Sequence, residues 1–270
     1  DYPKYEFKVV IAMRYWHPFT DEAVAQVKKY NPDKILLLPL YPQFSTATSG
    51  SSLLAWYVAA SKAGIVAETK EVCCYPYDSG YVNAYADLIA KAIKGKKLDN
   101  FRVLFSAHGL PESIVKKGDP YQWQVEQSVN QIVLALNQEG LDYQICYQSR
   151  VGPMKWIGPS TDNEIMRAAT DGKDVVLVPV AFVSEHSETL VELDIEYKEL
   201  ADEHGVKNYT RVATVDDHAK FIAGMAEICG KLLKGDSKIF PPTPYCPLNS
   251  TNCWCRQALN NTLTPQLKAS

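Results

Sequence analysis

No run of apolar residues in this chain approaches the length needed to cross a bilayer. The opening residues, Asp1-Tyr2-Pro3-Lys4-Tyr5-Glu6, lack the form of a signal peptide, so a secretory context is not indicated. An excess of basic charge is lacking as well: with Lys+Arg 28 against Asp+Glu 31, the net charge of -3 argues against a nucleic-acid surface. Neither G-x-G-x-x-G nor the Walker pattern occurs, which leaves no nucleotide fingerprint. No repeat with a period of roughly 20–50 residues signals a solenoid. An initiator Met is also missing, and a chain that enters its first apolar run at Phe7 is expected to be truncated at its N-terminus. What is present is 270 residues, 46% of them apolar, enough for two α/β lobes in a cytoplasmic globular protein.

Short apolar runs alternate with amphipathic segments. Strands are predicted near 7–13, 34–40, 68–72, 101–106, 143–148 and 175–180, and helices over 20–30, 50–62, 81–94, 121–139, 160–170, 187–203 and 217–233. That rhythm implies parallel sheets covered on both faces. The polar break Lys94-Gly95-Lys96-Lys97-Leu98-Asp99-Asn100 marks the lobe boundary. The expected division is 1–95 for the first lobe, 101–215 for the second, 216–234 for a helix packing back on the first, and 235–270 for an extension. Pro241, Pro242, Pro244 and Pro247 make that extension irregular.

The most informative stretch is Arg102 to Leu110. Val103, Leu104 and Phe105 read as a buried strand, and His108 stands just past its carboxyl end, where open parallel sheets bind their ligands. The pattern returns at 175–182, a second buried strand running into Ser184-Glu185-His186-Ser187-Glu188. Imidazole and carboxylate at two strand ends suit a divalent metal or acid–base work on a nitrogen heterocycle. Glu188, Glu192 and Glu196 recur at i, i+4 and i+8, so one helix face is expected to carry all three, with Leu190, Leu193 and Ile195 on its apolar side. A solvated acidic face is the plainer reading of that spacing. His108 alone would likewise be an ordinary hydrogen-bonded histidine, and it gains meaning only from the second strand end.

Tyr41 to Ser52 follows a strand and opens a helix, as hydroxyl-rich N-caps do or as an anion grip would. The tail carries Cys246-x6-Cys253-x-Cys255. Three soft thiolates so close together select zinc, copper(I) or iron–sulfur. Cys73-Cys74 could complete such a set. Cys146 lies in an apolar strand and Cys229 in a helix, where a buried structural thiol is the common outcome.

Several of these segments, taken in order, resemble the ferrochelatase family. They are Arg14-Tyr15-Trp16-His17-Pro18, Tyr41-Pro42-Gln43 with Gly50-Ser51-Ser52, Ser106-Ala107-His108-Gly109-Leu110-Pro111, and Gly118-Asp119-Pro120-Tyr121. Gln148 to Met154, Trp156-Ile157-Gly158-Pro159 with Thr161-Asp162, and His186 to Leu190 with Glu192 to Tyr197 continue the match. The resemblance implies two flavodoxin-like lobes, each a doubly wound parallel sheet, with a porphyrin cleft between them. It implies insertion of Fe2+ into protoporphyrin IX to form protohaem, with His108 and Glu188 catalytic and on the iron path together with Glu192 and Glu196. Arg14, Tyr15, Tyr41, Trp156 and Phe182 match cleft positions.

The tail resembles that of bacterial members that bind a [2Fe–2S] cluster. By that resemblance Cys246, Cys253 and Cys255 are ligands together with either Cys73 or Cys74, and zinc is the competing occupant. A homodimer and peripheral contact with the inner membrane are also implied. The rival readings are a chelatase for coproporphyrin or for a cobalt corrinoid precursor, and a non-catalytic tetrapyrrole-binding or redox-sensing protein.

Overall fold

The structure, a computed structural model, describes residues 3–150 and 152–260. Val151 of the Gln148–Met154 motif and the last ten residues of the extension lie outside the described residues.

Two parallel sheets organise the chain. The first runs in the order β1 (Lys34–Leu37), β2 (Glu68–Val72), β7 (Ile239–Phe240). The second runs β4 (Tyr143–Gln148), β3 (Phe101–His108), β5 (Asp174–Pro179), β6 (Tyr209–Arg211). β3 holds the centre of the second sheet because it is apolar on both faces, with every residue from Phe101 to Ala107 buried. Its partner register sets His108 opposite Gln148 at the carboxyl end of β4.

Helices α1 (Thr20–Tyr30) and α2 (Ser51–Ala63) cover β1 through Val24, Val27, Ile35 and Trp56. Helix α3 (Ser79–Ile93) packs against both α5 (Tyr121–Leu136) and α9 (Ala219–Lys234). One apolar cluster therefore joins the two lobes, running from Val72 through Tyr85 and Phe221 to Phe105 and Val178. Four tyrosines of this cluster, Tyr75, Tyr81, Tyr85 and Tyr147, are fully buried; Tyr81 gives its hydroxyl proton to the Val180 carbonyl, and Tyr85 shares its between the carbonyls of Pro179 and Phe182. Those bonds fix the segment after β5, which leads to the second strand-end motif. The remaining helices are α4 (Glu112–Lys116), α6 (Thr161–Thr170), α7 (Ser187–Leu190), α8 (Tyr197–Glu203) and α10 (Trp254–Leu259).

Two expectations are corrected, and two strands carry no sequence signal. The strand predicted over 7–13 does not form, because a strand exists by pairing and only Met13 finds a bridge partner, Phe19, among the described residues. Most of its apolar side chains stay in solvent, Val9 at 85% and Ile11 at 62% exposure, while Val10 packs against the α1–α2 cluster. The helix predicted over 187–203 is broken by a π turn at Glu192–Glu196 between α7 and α8. The short strands β6 and β7 escape the sequence reading, since three and two residues are too few for a period to show.

Candidate active site

His108 ends β3 half-buried, its Nδ1 2.7 Å from the carbonyl of Gly109. A carbonyl only accepts, so Nδ1 carries a proton and Nε2 is the nitrogen that faces outward. Nε2 stands 3.4 Å from Glu188 Oε1 at the start of α7. The peptide carbonyl of His108 is held by the Tyr121 hydroxyl at 3.0 Å, which fixes the base from behind. Burial alone would push the His108 pKa down, but hydrogen bonds to Glu188 and Gly109 and the charges of Glu188 and Glu192 carry it above the ordinary value. Glu188 moves the other way: its bond to His108 outweighs burial and holds its carboxyl below the usual range.

Glu192 takes a different part from the one its spacing suggests. Its carboxylate accepts from Gln148 Nε2 at 2.9 Å, from the Ser149 amide at 2.8 Å, from the Ser149 hydroxyl and from Tyr197 at 3.1 Å. The π turn inserts an extra residue per turn and rotates this face inward, so Glu192 braces the end of β4 while Glu196 is exposed. The three glutamates do not form one ladder. For the same reason only Leu193 of the expected apolar side is buried, with Leu190 and Ile195 47% and 50% exposed. Arg211 stabilises the turn from below, bidentate to Asp194 at 2.7 Å and bonded to Glu185 at 2.6 Å.

The cleft positions come from both lobes. Arg14 gives its Nε proton to Ser51 at 2.7 Å, and Tyr15 gives its hydroxyl proton to the carbonyl of Ala47 at 3.0 Å. Ala47 belongs to a π turn, Thr46–Gly50, and Ser51 opens α2 directly after it. Tyr41, 37% exposed, has its pKa raised by partial burial and then by the nearby charges of Tyr15 and Glu188. Phe182 is buried and packs edge-on against His186, ring centres 4.9 Å apart. Trp156 pairs with Pro111 across an isolated bridge, beside Gly109.

The second gathering of chemistry is a thiol pocket. Cys73, Cys74, Cys246, Cys253 and Cys255 are all buried in one cluster with Phe44, Leu53, Ile239 and Trp254. β7 pairs with β2, and the Cys73 amide bonds to the Phe240 carbonyl at 2.7 Å, which is what brings the tail onto Cys73-Cys74. Cys253 lies within hydrogen-bond reach of Cys73 and Cys246; their thiols donate to it and draw its pKa down, while burial and the same bonds raise theirs. Cys146 is buried in β4, and Cys229 lies in α9, both apart from this cluster. A buried carboxyl, Glu71, clamps the tail by accepting from Trp254 Nε1 and from the Tyr57 hydroxyl, each at 2.7 Å. Among the described residues no group of three or more His, Cys, Asp or Glu side chains is arranged to hold a single metal ion.

Gln148, Ser149 and Gln124 received no role from the sequence. Gln148 was findable, since it lies in a matched motif and opposite His108; Gln124 sits on an unremarkable helix face and gave no signal.

The ferrochelatase family model matches residues 1–232. A ferrochelatase of Pelagibacter ubique is 52% identical over 252 residues, covering 93% of this chain and 73% of the relative. One of Hyphomonas neptunium is 49% identical over 222 residues, covering 82% of this chain and 60% of the relative. One of Caulobacter vibrioides is 51% identical over 226 residues, covering 83% and 64%. Among solved structures, SirB from Bacillus subtilis with Fe3+ superposes with a TM-score of 0.57 at 15% identity, over 80% of this chain and 78% of that one. That likeness shows the chelatase fold alone. Two parallel sheets, a strand-end His–Glu pair and identity near one half across most of the chain agree: the chain belongs to the ferrochelatase family.

Proposed function

We propose that this chain inserts Fe2+ into protoporphyrin IX to form protohaem. The observation that carries the reading is His108 Nε2 facing Glu188 at 3.4 Å at the carboxyl end of β3. Coproporphyrin or cobalt-corrinoid chelation and passive tetrapyrrole binding have no comparable support, because the relatives at 49–52% identity carry the name ferrochelatase.

Insertion replaces two pyrrole protons by one dication, so the site must accept two protons in turn. Nε2 takes a pyrrole proton, since Nδ1 is already protonated, and the imidazolium formed is stabilised by Glu188. Glu188 relays the proton outward, both side chains being open to solvent at 39% and 42% exposure. Glu192, saturated with donors, keeps β4 and the π turn in place and adds negative charge for the incoming cation. Tyr15, Tyr41 and Trp156 offer apolar contact to the macrocycle, with Phe182 packed behind against His186. Arg14 has guanidinium donors beyond the one spent on Ser51, suited to an acidic substituent. Glu196, exposed on the same turn, suits the outer end of the iron path.

The tail suits a [2Fe–2S] cluster held by Cys246, Cys253, Cys255 and one of Cys73 and Cys74. The donor chemistry fits: five buried thiols lie together, and two N–H groups of Gln124 are aimed at sulfur rather than oxygen. Arg256 Nε is buried without a hydrogen-bond partner on the same short helix, a position that thiolate charge would satisfy. When bound, the cluster supplies a one-electron redox centre. Seven free cysteines support a reducing, cytoplasmic setting. Exposed Trp16, Leu190 and Val191 beside the cleft residues are consistent with peripheral membrane contact; the homodimer, with the tail near the partner, follows from the family resemblance alone.

The test is loss of porphyrin fluorescence on anaerobic addition of Fe2+. The native protein should quench with time, and His108→Ala should lose at least about 100-fold in rate, the usual value of a general base, while still binding porphyrin. Turnover near normal in that variant would overturn the assignment.

A further inference from the structure

Gln124, fully buried on α5, bonds at both ends of its carboxamide. Its Nε2 donates to Cys246 Sγ at 3.0 Å and to Cys74 Sγ at 3.4 Å. Its Oε1 accepts the Phe44 amide at 2.7 Å. Phe44 belongs to the segment whose next residues form the cleft lip: Ala47 holds Tyr15 and Ser51 holds Arg14. A carboxamide is planar and stiff, so its nitrogen cannot follow the sulfurs without its oxygen moving at Phe44.

A second connection runs beside it. The tail docks on the loop before α5, where the carbonyls of Gly118 and Lys117 accept from the Asn252 amide at 3.1 Å and from Asn252 Nδ2 at 2.9 Å. Gly118 allows this approach: its φ is +95°, and a Cβ there would lie 2.3 Å from Thr251 Oγ1 and 2.9 Å from the Thr251 amide nitrogen. The next residue, buried Asp119, accepts from Thr46 N and Thr46 Oγ1 at 2.7 Å each and from Ser45 Oγ at 3.1 Å. Tail and lip thus hold opposite sides of one short loop.

We propose that Gln124 is a positioning residue that ties the state of the thiol pocket to the placement of the cleft lip at Phe44–Ala47. The proposal rests on the reading of the pocket as a [2Fe–2S] site. Bonds from N–H to a charged sulfur are roughly twice as strong as those to a neutral thiol, and hydrogen bonds in series polarise one another. Loading therefore tightens the N–H···S bonds and, through the same carboxamide, the bond to Phe44. Asp119 keeps the lip on the same loop and carries the tail's own displacement.

The experiment compares native protein with Gln124→Leu and Gln124→Glu, each with iron and acid-labile sulfide measured first. Three readouts follow: the cluster's midpoint potential, amide hydrogen exchange of residues 44–47 in loaded and chelator-stripped protein, and KM against kcat for porphyrin. In native protein, loading should slow exchange at Phe44 about fivefold or more, the worth of one ordinary hydrogen bond. Gln124→Leu should abolish that dependence, lower the potential because hydrogen bonds to sulfur raise it, and raise porphyrin KM about fivefold with kcat held. Gln124→Glu keeps an oxygen for Phe44 but no donor for sulfur, so Phe44 should stay protected yet cease to respond to loading. A fully loaded Gln124→Leu protein with unchanged potential and unchanged loading-dependent exchange overturns the relay alone. Native protein without acid-labile sulfide overturns the cluster reading, and the relay with it.

Discussion

At the scale of single residues, the pair His108–Glu188 makes a signed statement about pH. The folded pKa of His108 is raised, so stability from the pairing is full at low pH and lost as pH rises through that raised value. Glu188 is lowered, so its share is present above the ordinary carboxylate range and lost as pH falls through the depressed value. Between the two, both groups are charged. Proton removal at Nε2 needs the neutral imidazole, so the acid limb of the insertion rate should have its midpoint above about 6.5. Glu188→Gln removes the main stabiliser and leaves burial to act, so the midpoint should move below that of the native protein while the maximal rate falls. A pH–rate profile checks this, and an unmoved limb in Glu188→Gln would show that the 3.4 Å contact does not govern the base. His108 and Glu188 were legible because a strand end is a position that sequence can mark. Glu192 was legible as a residue and illegible in its role. Which carboxylate turns inward depends on one inserted residue in a helix, and no spacing rule announces a π turn.

Among elements, the crossing of α3 and α9 shows how much rests on small residues. A Cβ on Gly224 would lie 2.3 Å from Asp78 Oδ1 and 3.1 Å from Gly80 Cα, and one on Gly80 would lie 2.3 Å from the Lys220 carbonyl. Asp78 caps α3, its Oδ1 accepting the Tyr81 amide at 3.0 Å. Gly224→Ala should gain about 0.5–1 kcal/mol of helix propensity. It should lose about 1–3 kcal/mol to overpacking and about 1 kcal/mol to the damaged cap. The loss wins, so chemical denaturation should show destabilisation of about 2 kcal/mol, and a neutral result would mean the helices can part without cost. The helices themselves were readable from their apolar period. The strand expected at 7–13 failed for a reason of the same kind: periodicity reports which face is apolar, while pairing depends on a neighbour that the local sequence does not name. β7 shows the converse, two residues that become a strand because β2 offers an open edge.

For the molecule as a whole, two α/β lobes could be inferred from the alternation of runs, but not what joins them to the tail. Distant partners decide that: β7 on β2, Asn252 on Gly118, and Trp254 on Glu71. The pocket so made is lined by five thiols beside Phe44, Leu53, Ile239 and Trp254, with Leu37, Leu54, Tyr57 and Trp123 partly buried against it. Thiols bury little apolar surface compared with leucine or phenylalanine, so the tail gains less from burial than a core of the same size would. A ligand bound only by the folded pocket adds its binding free energy to stability by mass action. Loaded protein should therefore melt higher than chelator-stripped protein, and limited proteolysis should cut the stripped form first between Pro241 and Cys253. Cys253→Ser, which removes the sulfur between Cys73 and Cys246, should behave as stripped protein under all conditions. Single serine substitutions at Cys73 and Cys74 should differ, one losing acid-labile sulfide and the other keeping it. Stoichiometric zinc without acid-labile sulfide would keep the ligand set and refute the cluster; equal melting of loaded and stripped protein would show that the tail is held by Glu71 and the Gly118 loop alone.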